Sequence, residues 1–274
     1  MIRQKTGSML CPDCNQLISV NAETCIHCGR RNPGMWGLMP MLRQFFGNFG
    51  FTEVVTAFCI ILYVISLLFD LATVFRPRGL LSILGPSMRS LDALGMTGVH
   101  AMQQGRWWTL ITAIYLHGGL IHIFFNLMWV RQLAPAVEEF FGVARLILIF
   151  TTSGSIGFIV SNFFGIPFTI GASGSIFGLL GAVVYYGKSR GGEIGAAIFR
   201  QSLQWALIGF MLGFFMSGIN NWAHGGGFAG GYLTAMLLGY SERRAETYAM
   251  KMAALGLVGL TILAFGMVVW NLFF

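Results

Sequence analysis

Charge is what this chain has least of. Of its 274 residues only 10% are Asp, Glu, Lys or Arg, while 55% are hydrophobic and the mean hydropathy is +0.71. Water-soluble domains carry roughly 25% charged residues, so a soluble fold is excluded. The deficit is also uneven. Neither the 42 residues from Leu146 to Gly187 nor the 40 from Gln201 to Tyr240 contain a single Asp, Glu, Lys or Arg. Each run is about twice the ~20 residues that a helix needs to cross the hydrocarbon core, and each therefore reads as a helical hairpin. The breaks fall at Gly165-Ile166-Pro167 and at Ser217-Gly218-Ile219-Asn220-Asn221, where Gly, Pro and Asn supply turn chemistry. Further apolar spans at about 54–72, 108–130 and 252–272 bring the expected number of membrane helices to seven.

Nor is a cleavable signal segment expected. The first 50 residues have no continuous apolar core between a basic start and a small-residue cleavage site. Orientation follows from the basic residues, which collect on the cytoplasmic side of short loops. With the N-terminus inside, 13 of the 17 Lys and Arg fall on inner segments, and only Arg76, Arg78, Arg89 and Arg106 lie outside, all in the long first loop. The net charge of +7 is thus a topology signal, and no nucleic-acid partner is expected. The chain reads as an integral multi-pass protein of the cell (inner) membrane with a cytoplasmic N-terminus.

Cysteine is scarce too, and four of the five are placed for a purpose. Cys11-Pro12-Asp13-Cys14 and Cys25-Ile26-His27-Cys28 are two C-x2-C pairs ten residues apart. Four thiolates at that spacing close a tetrahedron around zinc, and in the reducing cytosol thiols persist where disulfides do not. Residues 1–32 are therefore expected to be a small zinc-ribbon-like domain in which the metal is structural. Residues 33–51 read either as a linker that becomes interfacial, with Met35, Trp36, Leu38, Met41, Leu42, Phe45, Phe46, Phe49 and Phe51 gathered around Arg43, or as a plain disordered linker. The membrane domain is expected to span 52–272. Cys59 sits mid-span and is most simply a packing residue.

Polar groups inside membrane spans are costly and by default mark function. His117, His122 and Asn126 fall early in the second expected helix, Ser173 opens the fourth and His224 opens the sixth. All three helices run from outside to inside, so these groups share one depth near the outer face, in a pocket that water must reach. A serine hydroxyl attacks only when a base takes its proton. Gly174 and Gly178 on the fourth helix, and Gly227 and Gly231 on the sixth, form G-x-x-x-G pairs that let backbones approach. Close approach would bring Ser173 to His224. None of the ten acidic residues lies in the expected helices four to six, so the pair would work as a Ser-His dyad. His122 and Asn126, four apart on one face, could aim N–H donors at a developing oxyanion, and the Ser173 N–H adds a third. His117 is expected to hold the first loop or the helix start.

These motifs resemble the rhomboid family of intramembrane serine proteases. They are Gly105-Arg106-Trp107-Trp108-Thr109, His117 with His122 and Asn126, Gly171-Ala172-Ser173-Gly174-Ser175-Ile176-Phe177-Gly178-Leu179-Leu180-Gly181, and Ala223-His224-Gly225-Gly226-Gly227 with Gly231. The resemblance covers roughly 52–272, and Gly105 stands where the family often has Trp. It implies an all-α membrane fold with a six-helix core and a seventh C-terminal transmembrane helix, to which the N-terminal four-cysteine zinc ribbon is an accessory. It also implies Ser173 as nucleophile, His224 as base, and His122, Asn126 and the Ser173 N–H as the oxyanion hole. The implied substrates are transmembrane or juxtamembrane segments of other membrane proteins, single-pass or otherwise, met within the lipid bilayer, and catalysis needs no cofactor. Two alternatives compete. A non-catalytic relative that binds or delivers membrane proteins usually lacks the serine or the histidine, and both are here. A metal transporter using His100, His117, His122 and His224 would lack acidic partners in the core.

Overall fold

The computed structural model describes residues 6–11, 14, 16–34, 50–74, 83–216 and 218–273. The chain divides into two compact units, Met1–Glu53 and Val54–Phe274. In the first, β1 (Ser8–Leu10) and β2 (Leu17–Ser19) form an antiparallel hairpin in the register Ser8↔Ser19, Met9↔Ile18 and Leu10↔Leu17. Alternation puts Met9 and Ile18 on the inner face, where they meet Val20, Cys11 and Cys25. Two three-residue strands bury too little to stand alone, so this module needs another source of stability. Met35 to Phe49, the greater part of the expected interfacial segment, lie outside the described residues.

The second unit is built on seven long helices. They are α1 (Phe51–Leu68), α2 (Leu120–Phe141), α3 (Val143–Phe163), α4 (Ser173–Arg190), α5 (Gly192–Phe215), α6 (Asn221–Leu238) and α7 (Tyr248–Phe273). By length and composition alone, α1, α2, α3 and α7 are long and apolar enough to cross a membrane. The lower hydropathy of α4 and α6 has a packing reason. Thirteen of the 18 residues of α4 are buried, so it is wrapped by protein and needs no lipid-facing side chains. Its main neighbours are α6, α5 and α3. On α6 the buried face is made of Ala223, His224, Gly226, Gly227, Gly230, Gly231 and Ala235, which trades hydropathy for close approach.

Both hairpins break where expected, between Phe163 and Ser173 and between Phe215 and Asn221. Two details differ. The second long helix starts at Leu120, not near 108. Residues Thr109–Thr112 and Ala113–Tyr115 are short helical turns that end at Leu116, whose backbone is extended (φ −90°, ψ 145°). The apolar run that suggested a span there is buried inside the protein through Ile111, Ala113, Ile114 and Leu116. In addition, α5 begins at Gly192, so Glu193 lies in its first turn although no acid was expected in helices four to six. That turn adjoins the end of α4 opposite Ser173.

The seventh helix is packed into the unit. Phe265 on α7 meets Phe58 on α1 at 4.9 Å and Tyr115 at 6.0 Å between ring centroids, both edge-on. The connection from α6 to α7 is held by a buried cation. Arg145, in the first turn of α3, donates to the Phe141 carbonyl at 2.8 Å and to the Arg244 and Ala245 carbonyls at 2.6 and 3.3 Å. Its backbone N–H donates to Glu246 Oε1 at 3.0 Å, which places a carboxylate at the positive end of α3. Glu242 accepts from Tyr186 Oη at 2.9 Å and pairs with Arg190 at 3.2 Å at the end of α4.

Candidate active site

The ends of the helices that carry the candidate residues are set by local chemistry. The segment entering α4 is pinned twice. Thr169 and Thr97 exchange backbone hydrogen bonds of 2.8 and 3.3 Å, and the Gly171 N–H donates to the Ala113 carbonyl at 2.9 Å. Gly171 has φ +115°, a conformation that L side chains avoid, and two residues later Ser173 opens α4. Asn220 caps α6, its Oδ1 accepting the Ala223 N–H at 3.2 Å. His224 follows, buried, in the first turns of that helix.

α4 and α6 touch backbone to backbone over successive turns. A Cβ placed on Gly227 would lie 2.1 Å from the Gly174 carbonyl oxygen, and one on Gly231 would lie 2.0 Å from that of Gly178. Because the obstacles are main-chain atoms, neither can swing aside. Gly231→Ala is expected to push the helices apart and to lower the melting temperature through an overpacking cost of about 1–3 kcal/mol. Thermal melts in lipid check this, against Gly256→Ala on α7, where a Cβ meets nothing within 4 Å.

The His224 ring stacks on Phe177 with centroids 4.2 Å apart and planes 13° from parallel. Phe177 is four residues after Ser173 and hence on the same face of α4, so the imidazole lies against the helix face that presents Ser173. No hydrogen bond joins Ser173 to His224 among the described residues. The buried Nδ1 of His224 likewise has no partner among them.

His122 lies in the first turn of α2. Its Nδ1 accepts the Gly118 N–H at 3.3 Å, which leaves Nε2 to carry the ring hydrogen. A Cβ on Gly171 would sit 2.7 Å from that Nε2, so the donor tip of the ring reaches the turn just before Ser173. Asn126, one turn further along α2, donates from Nδ2 to the His122 carbonyl at 2.8 Å, and its buried Oδ1 has no partner among the described residues. His117 is fully buried, precedes α2 and stands 5.2 Å from His122, ring to ring. The geometry thus sets His122 at the entry to α4 and His224 against Phe177 near the start of that helix. Sequence reasoning missed Phe177, which the i, i+4 spacing from Ser173 could have disclosed. It also missed Asn220, which a helix-start signal of Asn before an apolar run could have disclosed. In the preceding loop Gly105 has φ +72°, and Arg106 pairs with Asp92 at 2.7 Å.

In the first unit, the sulfurs of Cys11, Cys14, Cys25 and Cys28 all lie within 4.8 Å of one another. Cys11 and Cys28, and Cys14 and Cys25, are 3.7 Å apart, close to the ~3.8 Å edge of a tetrahedron with ~2.3 Å metal–sulfur bonds. None is in a disulfide. Two tight turns present them. The Cys11 N–H donates to the Gln16 carbonyl at 2.8 Å, and the Gly29 N–H to that of Cys25 at 2.9 Å. Burial pushes the Cys25 thiol up, but N–H donors of Cys28 and His27 and the neighbouring sulfurs outweigh it and bring it down to about 6. The Arg30 N–H lowers Cys28, yet burial and the three neighbouring sulfurs together push it up to about 12. Four thiolates cannot share so small a volume unaided; a divalent cation is the complement this donor set fits.

The sequence model of the Rhomboid domain matches residues 104–241, a stretch that runs from the end of the first loop to just past α6. Rhomboid protease GluP of Bacillus subtilis (strain 168) is 36% identical over 168 residues, 61% of this chain and 33% of the relative. Putative rhomboid protease YdcA of the same organism is 36% identical over 143 residues, 51% of this chain and 71% of the relative. RHOMBOID-like protein 7 of Arabidopsis thaliana is 34% identical over 165 residues, 57% of this chain and 51% of the relative. The chain therefore spans about a third of the first of these and about half of the last.

Proposed function

The chain belongs to the rhomboid family of integral membrane proteins, and from that premise we propose that it is an intramembrane serine endopeptidase that cuts transmembrane or juxtamembrane segments of other membrane proteins. The observation that carries this reading is the His224 ring stacked on Phe177, one helical turn from Ser173 on the same face of a buried helix.

In this reading Ser173 Oγ attacks the scissile carbonyl carbon while His224 takes the hydroxyl proton. The carbonyl oxygen becomes an oxyanion, met by the Nε2–H of His122, an amide hydrogen of Asn126 and the backbone N–H of Ser173, which also carries the positive end of α4. Collapse of the intermediate breaks the C–N bond, and His224 returns its proton to the leaving amine. Water, deprotonated by His224, then attacks the acyl ester, and His224 passes that proton to Ser173 Oγ as the ester C–O bond breaks. Without an acid on Nδ1, the imidazole is oriented by its stack on Phe177 and by the packing of α6. Backbone inside a helix is closed to attack, since its carbonyls are bonded to their own helix. Substrates that unwind easily near the outer leaflet are therefore preferred.

The distribution of Lys and Arg supports an inner-membrane location with the N-terminus in the cytosol and the site opening to the outer face. The four-cysteine cluster is read as a structural zinc ribbon; the metal would supply the folding energy that two short strands lack. The test is turnover of a labelled transmembrane substrate by the purified full chain in lipid, beside Ser173→Ala. Cleavage by the parent alone is expected. Binding of the substrate without cleavage by either protein would favour the non-catalytic alternative.

A further inference from the structure

Asn220 lies outside the four residues assigned to chemistry, yet every polar atom of its side chain is engaged. Oδ1 accepts the Ala223 N–H at 3.2 Å, while Nδ2 donates to Ser161 Oγ at 2.6 Å and to Thr169 Oγ1 at 3.1 Å. The backbone N–H of Ala223 can only donate, so it fixes which end of the amide is oxygen and leaves the NH2 group for the two hydroxyls. The Asn220 carbonyl in turn accepts the His224 N–H at 3.1 Å. Three segments meet at this one carboxamide: the start of α6, the last turn of α3 and the loop that enters α4. Thr169 is four residues before Ser173, and His224 is four residues after Asn220.

We propose that Asn220 is a positioning residue that sets the register between Ser173 and His224 by tying the entry to the nucleophile's helix to the N-cap of the base's helix. The inference rests on the protease reading. Ser161 is fully buried and Thr169 nearly so, hence water replaces these bonds poorly and they are strong in their low-dielectric setting. Thr169 is clamped on its other side by the backbone pair with Thr97, and Gly98 beside that pair admits no Cβ, which would lie 2.0 Å from the Pro167 carbonyl oxygen. The loop is thereby fixed, and α6 is fixed to it. Without the ties to Ser161 and Thr169 the start of α6 is free to shift against the loop that enters α4, and the His224 imidazole, one turn along, moves with it. A misplacement of about 1 Å can cost up to about 100-fold in rate.

The test compares Asn220→Ala, Asn220→Ser and the double variant Ser161→Ala/Thr169→Val, each as the full chain in lipid. Measured are kcat, KM, the rate at which a fluorophosphonate labels Ser173, and the melting temperature. Asn220→Ala is expected to lower kcat and the labelling rate by about 10- to 100-fold with KM within about twofold. Serine restores a helix cap but cannot reach both hydroxyls, so Asn220→Ser recovers the melting temperature and not kcat. The double variant keeps the cap and shows the same loss of kcat. Parental kcat in Asn220→Ser or in the double variant would overturn the proposal, since Asn220 would then be a cap and no more. Those two variants decide the matter if Asn220→Ala does not fold. A parent protein no more active than Ser173→Ala would instead sink the protease reading, and this role with it.

Discussion

Ser173→Ala and His224→Ala are each expected to bring cleavage of a transmembrane substrate down to the level seen with empty lipid, and the double variant is expected to lose nothing more. In the proposed mechanism the two residues act as a unit. Without the hydroxyl there is no nucleophile to activate, and without the imidazole the hydroxyl keeps its proton at neutral pH. Losses of about four to six orders of magnitude are typical of such pairs, and they are far from additive. Fluorophosphonate labelling separates the two roles. Ser173→Ala has no atom to label, while His224→Ala retains one and labels at a rate reduced about as much as turnover. Ser173→Ala removes one oxygen at a helix end, so its melting temperature should stay close to the parent, whereas His224→Ala empties buried space against Phe177 and is expected to lower it. Two independent losses that multiply, or residual turnover in Ser173→Ala well above background, would show that catalysis runs through other groups.

Much of this was legible in the sequence, and what was not has identifiable causes. The charge-free runs located the α3–α4 and α5–α6 hairpins because a bilayer penalises any charge within its core, wherever packing puts it. The second helix was misplaced by the same logic. Residues 108–116 are apolar because they are buried in protein, and hydropathy cannot tell a protein interior from lipid. Conversely, α4 and α6 fall short on apolarity since their glycines face each other, and only the G-x-x-x-G spacing announced that. For the site, spacing placed Ser173, His122 and His224 at one end of the unit. Spacing could mark Phe177 as sharing a face with Ser173 and Asn220 as a helix start, but not that the ring meets His224 or that the carboxamide meets Ser161 and Thr169 on other segments. Contacts between segments more than forty residues apart leave no local trace in a single sequence.

In the other unit, chelation is expected to act on the ribbon alone and completely. Purified from metal-replete cells, the chain should carry one zinc per molecule, and EDTA or a thiol-specific mercurial should release it. The described residues of the hairpin β1–β2 bury one small cluster, Met9, Ile18, Val20, Cys11 and Cys25, and two of those five belong to the cysteine tetrad. Remove the cation and the four sulfurs, 3.7 Å apart in their closest pairs, are left to repel or to protonate, with no other core to hold them. Amide protection across residues 8–20 should collapse on chelation while the helical signal of α1–α7 is unchanged, and added zinc should restore it. Cys25→Ser should weaken zinc binding by more than the ~100-fold that loss of an outer-shell partner costs, since it removes a ligand. Cys59→Ser, which lies outside the tetrad in a membrane helix, should leave the stoichiometry at one. Protection across 8–20 that survives zinc removal would mean that hydrophobic contacts suffice to fold the hairpin and that the tetrad serves another end.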